Sequence, residues 1–156
     1  MSETKRPVSR RQFCAGACQV ASGATLATLF SACGGSPTSP SRPAAMLSVV
    51  PGRFAGSGVQ VTVAGSPLDN VGGAALVEST AGVFLVSRTN ASAFMAVDAT
   101  CSHESCTVTG ADGNIYVCPC HGSRYSRTGQ VLEGPAKASL RQFNTTFADG
   151  VVTIAV

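Results

Sequence analysis

Every cysteine and histidine beyond residue 33 falls in two short segments, Cys101-Ser102-His103-Glu104-Ser105-Cys106 and Cys118-Pro119-Cys120-His121-Gly122-Ser123-Arg124-Tyr125. So many thiols and imidazoles in so little chain require a fold that brings two loops to one place. In an extended loop, residues two apart face the same way, so Cys101 and His103 can act together, whereas His121 should point away from its neighbour Cys120. Cys118 and His121, three apart in a turn, can converge. Each segment then offers one thiol and one imidazole, and the remaining Cys106 and Cys120 can join the loops as a disulfide. Closing such a loop is worth about 3 kcal/mol in the chain-entropy model.

Two other readings fit part of this pattern. Two cysteines and two histidines suit a tetrahedral zinc ion, although a zinc knuckle gives no reason for the extra cysteine pair. Cys118-Pro119-Cys120 could serve as a redox-active thiol pair, but the familiar exchanger has two residues between its cysteines and here only Pro119 intervenes.

Residues 49–156 read as all-β. No long segment shows apolar residues at helical spacing, and short runs rich in Val, Phe, Ile and Thr recur instead. Val59-Gln60-Val61-Thr62-Val63 alternates, Gly82 to Val86 is a compact apolar run, and Phe94 to Val97 follows a polar turn. Asp112-Gly113 precedes Ile115-Tyr116-Val117. Asp149-Gly150 joins a strand spanning Arg141 to Phe147 to Val151-Val152-Thr153-Ile154 in a hairpin. The expected architecture is a small antiparallel sandwich or barrel.

The first 48 residues have a different character. Lys5, Arg6, Arg10 and Arg11 precede an uncharged stretch whose apolar part ends near Phe30, which is the layout of an export signal over residues 1–32. Arg10-Arg11 resembles a twin-arginine motif, and Leu29 to Cys33 resembles a lipoprotein cleavage box in which Cys33 would be lipidated. Residues 13–33 could alternatively stay as an uncleaved anchor, though their small, hydroxylated residues suit this less. Cys14 and Cys18 lie in the signal and read as small apolar residues. Residues 33–48 form a tether rich in Pro, Gly and Ser. Downstream of residue 32 seven basic residues face seven acidic ones, so the folded part has no surplus charge to recommend nucleic acid as a partner.

The two segments closely resemble the paired boxes of the Rieske iron–sulfur proteins, Cys-x-His-x-Gly-Cys and Cys-Pro-Cys-His-Gly-Ser, and Gly129 to Gly134-Pro135 resembles that family's third, proline-containing loop. The resemblance adds to the expected sandwich or barrel a loop subdomain that carries the site. It implies one [2Fe-2S] cluster per chain, with Cys101 and Cys118 on one iron and His103 and His121 on the other. It also implies that Ser123 and Tyr125 donate hydrogen bonds to cluster sulfurs and raise the potential. Two ferric ions, two sulfides and two thiolates sum to zero charge when the imidazoles are neutral, so an added electron is better tolerated than with four thiolates. The ring nitrogen left on each histidine should couple electron uptake to proton uptake, with the potential falling as pH rises in the alkaline range.

The function implied is one-electron transfer by an exported, membrane-tethered protein at the periplasmic or outer face of the bacterial cytoplasmic membrane. It would act as a carrier or as a subunit of an oxidoreductase complex rather than as a stand-alone catalyst. Its redox partner would be a cytochrome or an oxidoreductase subunit, with a membrane quinol as a further candidate. A quinol–cytochrome reductase subunit and the electron-transfer subunit of a molybdenum oxidase are the specific roles open to it. Three residues depart from the quinol-oxidising pattern. Glu104 replaces an apolar residue beside the ligand histidine, Ser105 replaces glycine, and Lys137 replaces the second proline of the third loop. A carboxylate beside His103 disfavours an apolar docking surface.

Overall fold

The computed structural model describes residues 44–156; Arg10, Arg11, Cys14, Cys18, Cys33 and the tether as far as residue 43 lie outside the described residues. In chain order the strands are β1 (Ala45–Met46), β2 (Val49–Pro51), β3 (Arg53–Ala55), β4 (Gly58–Thr62), β5 (Ala74–Ser79), β6 (Gly82–Arg88) and β7 (Phe94–Asp98). They continue with β8 (Gly110–Asp112), β9 (Ile115–Val117), β10 (Arg124–Ser126), β11 (Val131–Glu133), β12 (Gln142–Phe143), β13 (Thr145–Ala148) and β14 (Val151–Ala155). The only helical turn among the described residues is a 3-10 turn, Pro67–Asp69, capped by the Ser66 hydroxyl, which accepts from Leu68 N. No helix of the described residues is long and apolar enough to cross a membrane.

The strands form three open sheets rather than a closed barrel, with orders β1-β8-β9-β10-β11, β12-β7-β6-β5-β2 and β13-β14-β4-β3. Strand β4 shows the alternation read from sequence, with Val59 and Val61 buried and Gln60 and Thr62 exposed. In β5 to β7 the apolar runs are continuous because both faces of the central sheet are covered. Ala75, Val77, Phe84, Val86 and Ala96 face one core with Val59, Val61, Val152 and Ile154. Their neighbours Leu76, Leu85 and Val97 enter a second core with Val108, Tyr116, Tyr125, Cys101 and Cys118. The central sheet is thus the wall on which the site-bearing subdomain rests.

Three details differ from the sequence reading. The segment read as tether reaches only part of the way to residue 48: Ala45–Met46 pairs with Gly110–Ala111, and Leu47 N donates to Thr109 O. Backbone pairing to an open sheet edge needs no apolar period, which is why composition concealed it. Strand β2 pairs with β5 in parallel, so the topology is not wholly antiparallel. The single strand expected over Arg141 to Phe147 breaks at Asn144, with β12 joining β7 and β13 joining β14. The hairpin at Asp149-Gly150 is present, with both residues at positive φ (52° and 75°), the backbone of a two-residue turn that matches strand twist.

Candidate metal centre

Two loops from the same subdomain carry the expected donors. The first leaves β7 and runs to Thr107, whose isolated bridge to Thr100 closes its base. Within it Cys101 N donates to Cys106 O and Ser105 N to Cys101 O, so the chain turns back tightly. The second joins β9 to β10, with Gly122 N donating to Cys118 O and Cys118 N to Ser123 O. Cys106 and Cys120 are disulfide-bonded, with Cα atoms 6.6 Å apart, and the two loops are thereby locked together.

Cys101 and Cys118 remain free thiols and are 2% and 1% exposed, members of the second hydrophobic core. The histidines lie outward of them: the His103 and His121 side chains are 28% and 48% exposed, with ring centroids 4.9 Å apart and nearly perpendicular planes. Among the described residues, the sets of three or more donor atoms within 4.8 Å of one another are Cys106, Cys118 and Cys120, and His103, Glu104 and His121. No such set mixes the free thiols with the imidazoles. A single tetrahedral zinc needs all four donors around one point at about 2.0–2.3 Å from the metal, which this separation does not provide. A two-metal unit with sulfur at one end and nitrogen at the other fits it. With Cys106 and Cys120 spent on the disulfide, no free thiol pair remains at Cys118 and Cys120 for disulfide exchange.

Hydrogen bonds polarise the buried thiols unequally. Burial pushes the Cys101 thiol up, but the Tyr125 hydroxyl, the His103 backbone and the Cys118 and Ser123 side chains outweigh it and bring the group below its ordinary value. Burial holds Cys118 above its ordinary value, the Cys120 backbone opposing this and the Cys101 thiol adding to it. Tyr125 is itself pushed up by burial and by its bond to Cys101, so its proton stays on the oxygen as a donor.

Tyr125 is fully buried, with its hydroxyl 3.2 Å from Cys101 Sγ. Ser123 is also fully buried, and its hydroxyl accepts from Ala136 N at 3.2 Å, which leaves the hydroxyl hydrogen free to point elsewhere. Tyr125 thus lies against a candidate ligand thiol, and Ser123 fastens the third loop through Ala136 N. Gly134 makes that close approach possible: at φ 96° a Cβ there would lie 2.7 Å from Ser123 Cα.

Sequence reasoning missed Ser102. Its backbone N donates to the Tyr125 hydroxyl at 3.3 Å, and its own hydroxyl donates to Ala138 O at 2.5 Å, which ties the first loop to the third. A lone serine between two ligand candidates carries no signal that would have exposed this role. Ser105, noted as a replacement for glycine, adopts φ 56°, a backbone that favours glycine.

Comparison with known proteins places the chain in a family. The family model described as the Rieske [2Fe-2S] domain matches residues 55–144. The cytochrome b6-f complex iron-sulfur subunit of Synechococcus elongatus is 36% identical over 90 residues, 55% of this chain and 50% of that protein. The subunit of the same description from Prochlorococcus marinus is 42% identical over 60 residues, covering 38% of this chain and 34% of that one. The chain thus spans half or less of the length of these curated relatives. The ferredoxin of carbazole 1,9a-dioxygenase from Nocardioides aromaticivorans shares the fold at a TM-score of 0.50 and 20% identity, over 64% of this chain and 98% of that chain.

Proposed function

This chain belongs to the Rieske [2Fe-2S] domain family, and on that footing we propose that it is a one-electron carrier whose cluster is held by Cys101, Cys118, His103 and His121. The observation that carries the reading is the segregation of its donors, two free thiols in the core and two imidazoles at the surface. When bound, a [2Fe-2S] cluster supplies a one-electron couple, at higher potential than an all-cysteine cluster because two ligands are neutral.

The chain's own residues do the rest. The Cys106–Cys120 disulfide fixes the distance between the loops. Tyr125 offers an O–H to Cys101 Sγ, and Ser123 lies close enough to the same thiol to pull its proton affinity down. Such donors stabilise negative charge on sulfur and so favour the reduced state. The second core excludes water from the thiol side, while the imidazole edges at the surface give a partner its shortest approach.

The relatives' description as cytochrome b6-f subunits supports a cytochrome or complex subunit as partner. The twin-arginine-like Arg10-Arg11 and the box ending at Cys33 support export and a lipid tether to the outer face of a membrane. Purification of the full chain from a host that assembles iron–sulfur clusters tests the central reading. We expect two iron and two acid-labile sulfide per chain and a paramagnetic signal on reduction. Colourless protein with zinc in place of iron would overturn it.

A further inference from the structure

Glu104 lies between the two histidines. Its carboxylate oxygens are 4.0 Å from His103 Nε2 and 3.8 Å from His121 Nε2, so one side chain of the first loop also reaches the imidazole of the second. These separations are too long for direct hydrogen bonds, and the side chain is 61% exposed, so the carboxylate keeps its acceptor capacity for something outside. Among the described residues no lysine or arginine lies within ion-pair reach of it. Lys137 is exposed next to Ala138, whose carbonyl takes the Ser102 hydroxyl, yet it makes no ion pair with Glu104. The edge from which an electron would leave is therefore capped by an uncompensated negative charge.

Resting on the Rieske reading above, we propose that Glu104 selects the redox partner at this face, favouring a protein with its redox centre behind a lysine- or arginine-rich surface over a neutral hydroxyl donor such as a quinol. A hydroxyl seeking either Nε2 meets the carboxylate as the stronger acceptor, and taking the nitrogen requires pushing a charged group aside. A lysine or arginine approaching the same edge gains a charge-assisted partner and is steered to it over a Debye length. The same fixed charge disfavours adding an electron behind the imidazoles, so Glu104 also holds the potential down.

The test uses cluster-loaded wild type, E104Q and E104K. Binding of a redox-inert zinc-porphyrin derivative of a basic cytochrome c is followed by calorimetry across ionic strength, and decylubiquinol is tried as electron donor. At low ionic strength E104Q should bind the cytochrome about fivefold more weakly than wild type, E104K more weakly still, and the differences should vanish in high salt. The potential should rise in both variants, and decylubiquinol should reduce E104Q faster than wild type. Equal cytochrome affinities and salt slopes with intact clusters, or wild-type protein reduced by decylubiquinol as fast as E104Q, would overturn this inference alone. Protein that never acquires the cluster would overturn the Rieske reading and this inference together.

Discussion

Replacing Tyr125 by phenylalanine removes one oxygen from a fully buried ring and tests how much of the potential is set by a single hydrogen bond. The Ser102 hydroxyl gives its hydrogen to Ala138 O, so the Tyr125 hydrogen has two acceptors, Ser102 Oγ at 3.2 Å and Cys101 Sγ at 3.2 Å. Anionic sulfur is the stronger acceptor and takes it. Bonds to charged groups contribute about 1.5–3 kcal/mol, and only the part that grows when an electron is added moves the potential. Taking about half of that range as differential leaves about 1 kcal/mol, or roughly 45 mV for a one-electron couple at 59 mV per factor of ten. Tyr125→Phe should therefore lower the midpoint by roughly 30–65 mV in protein-film voltammetry, on the same reasoning. Tyr116 supplies the control, being equally buried and paired with Tyr125 across β9 and β10, but with a hydroxyl that has no partner among the described residues. Tyr116→Phe should leave the midpoint in place. A fall of similar size in both variants, or none in Tyr125→Phe with the cluster intact, would refute the reasoning.

Ser123→Ala should also lower the potential, and it leaves Ala136 N without its acceptor, so faster amide exchange at Ala136 should accompany the voltammetric shift. Replacing Cys106 and Cys120 together by serine releases the two loops, whereas the core around Val59, Val61, Phe84 and Val152 contains neither residue. Iron content should fall while the far-ultraviolet circular dichroism of the sheets persists, with stability down by about 3 kcal/mol in chemical denaturation. Ser105→Gly relieves a non-glycine residue at φ 56° and should stabilise by about 1 kcal/mol, raising Tm by roughly 4 °C without moving the potential.

The candidate donor residues were the most conspicuous part of the chain, because a metal accepts few residue types and two loops had to bring them together. Cys101, His103, Cys118 and His121 could be sorted into pairs, and the disulfide between Cys106 and Cys120, which the structure contains, followed from what was left. Strands with one solvated face, such as β4, were legible through alternation. Strands β1, β3, β8, β10 and β11, each of two or three residues, were not, since so few residues cannot display a period. The break at Asn144 was hidden for another reason: β12 and β13 are both plausible strand sequence, and only the partners available on each side decide which sheet each joins. Backbone contacts such as Ala136 N to Ser123 Oγ leave no mark on residue identity at the donor end.

The division of the core explains why the site faces as it does. Leu76, Leu85 and Val97 project from the central sheet into the same apolar cluster as Cys101, Cys118 and Tyr125. The thiols are thus held by packing on a rigid sheet rather than by their loops alone, and each loop then runs outward to its histidine. In both loops the cysteine comes before the histidine, so sulfur is fixed at the protein side and nitrogen at the solvent side. Reversing that order would expose the thiols and bury the imidazoles, losing both the dry environment that strengthens the Tyr125 bond and the imidazole edge open to a partner. On the proposed reading, electron traffic through the imidazole side would be a consequence of where the hydrophobic wall stands, and the charge on that side, Glu104 first, would act on any partner that approaches.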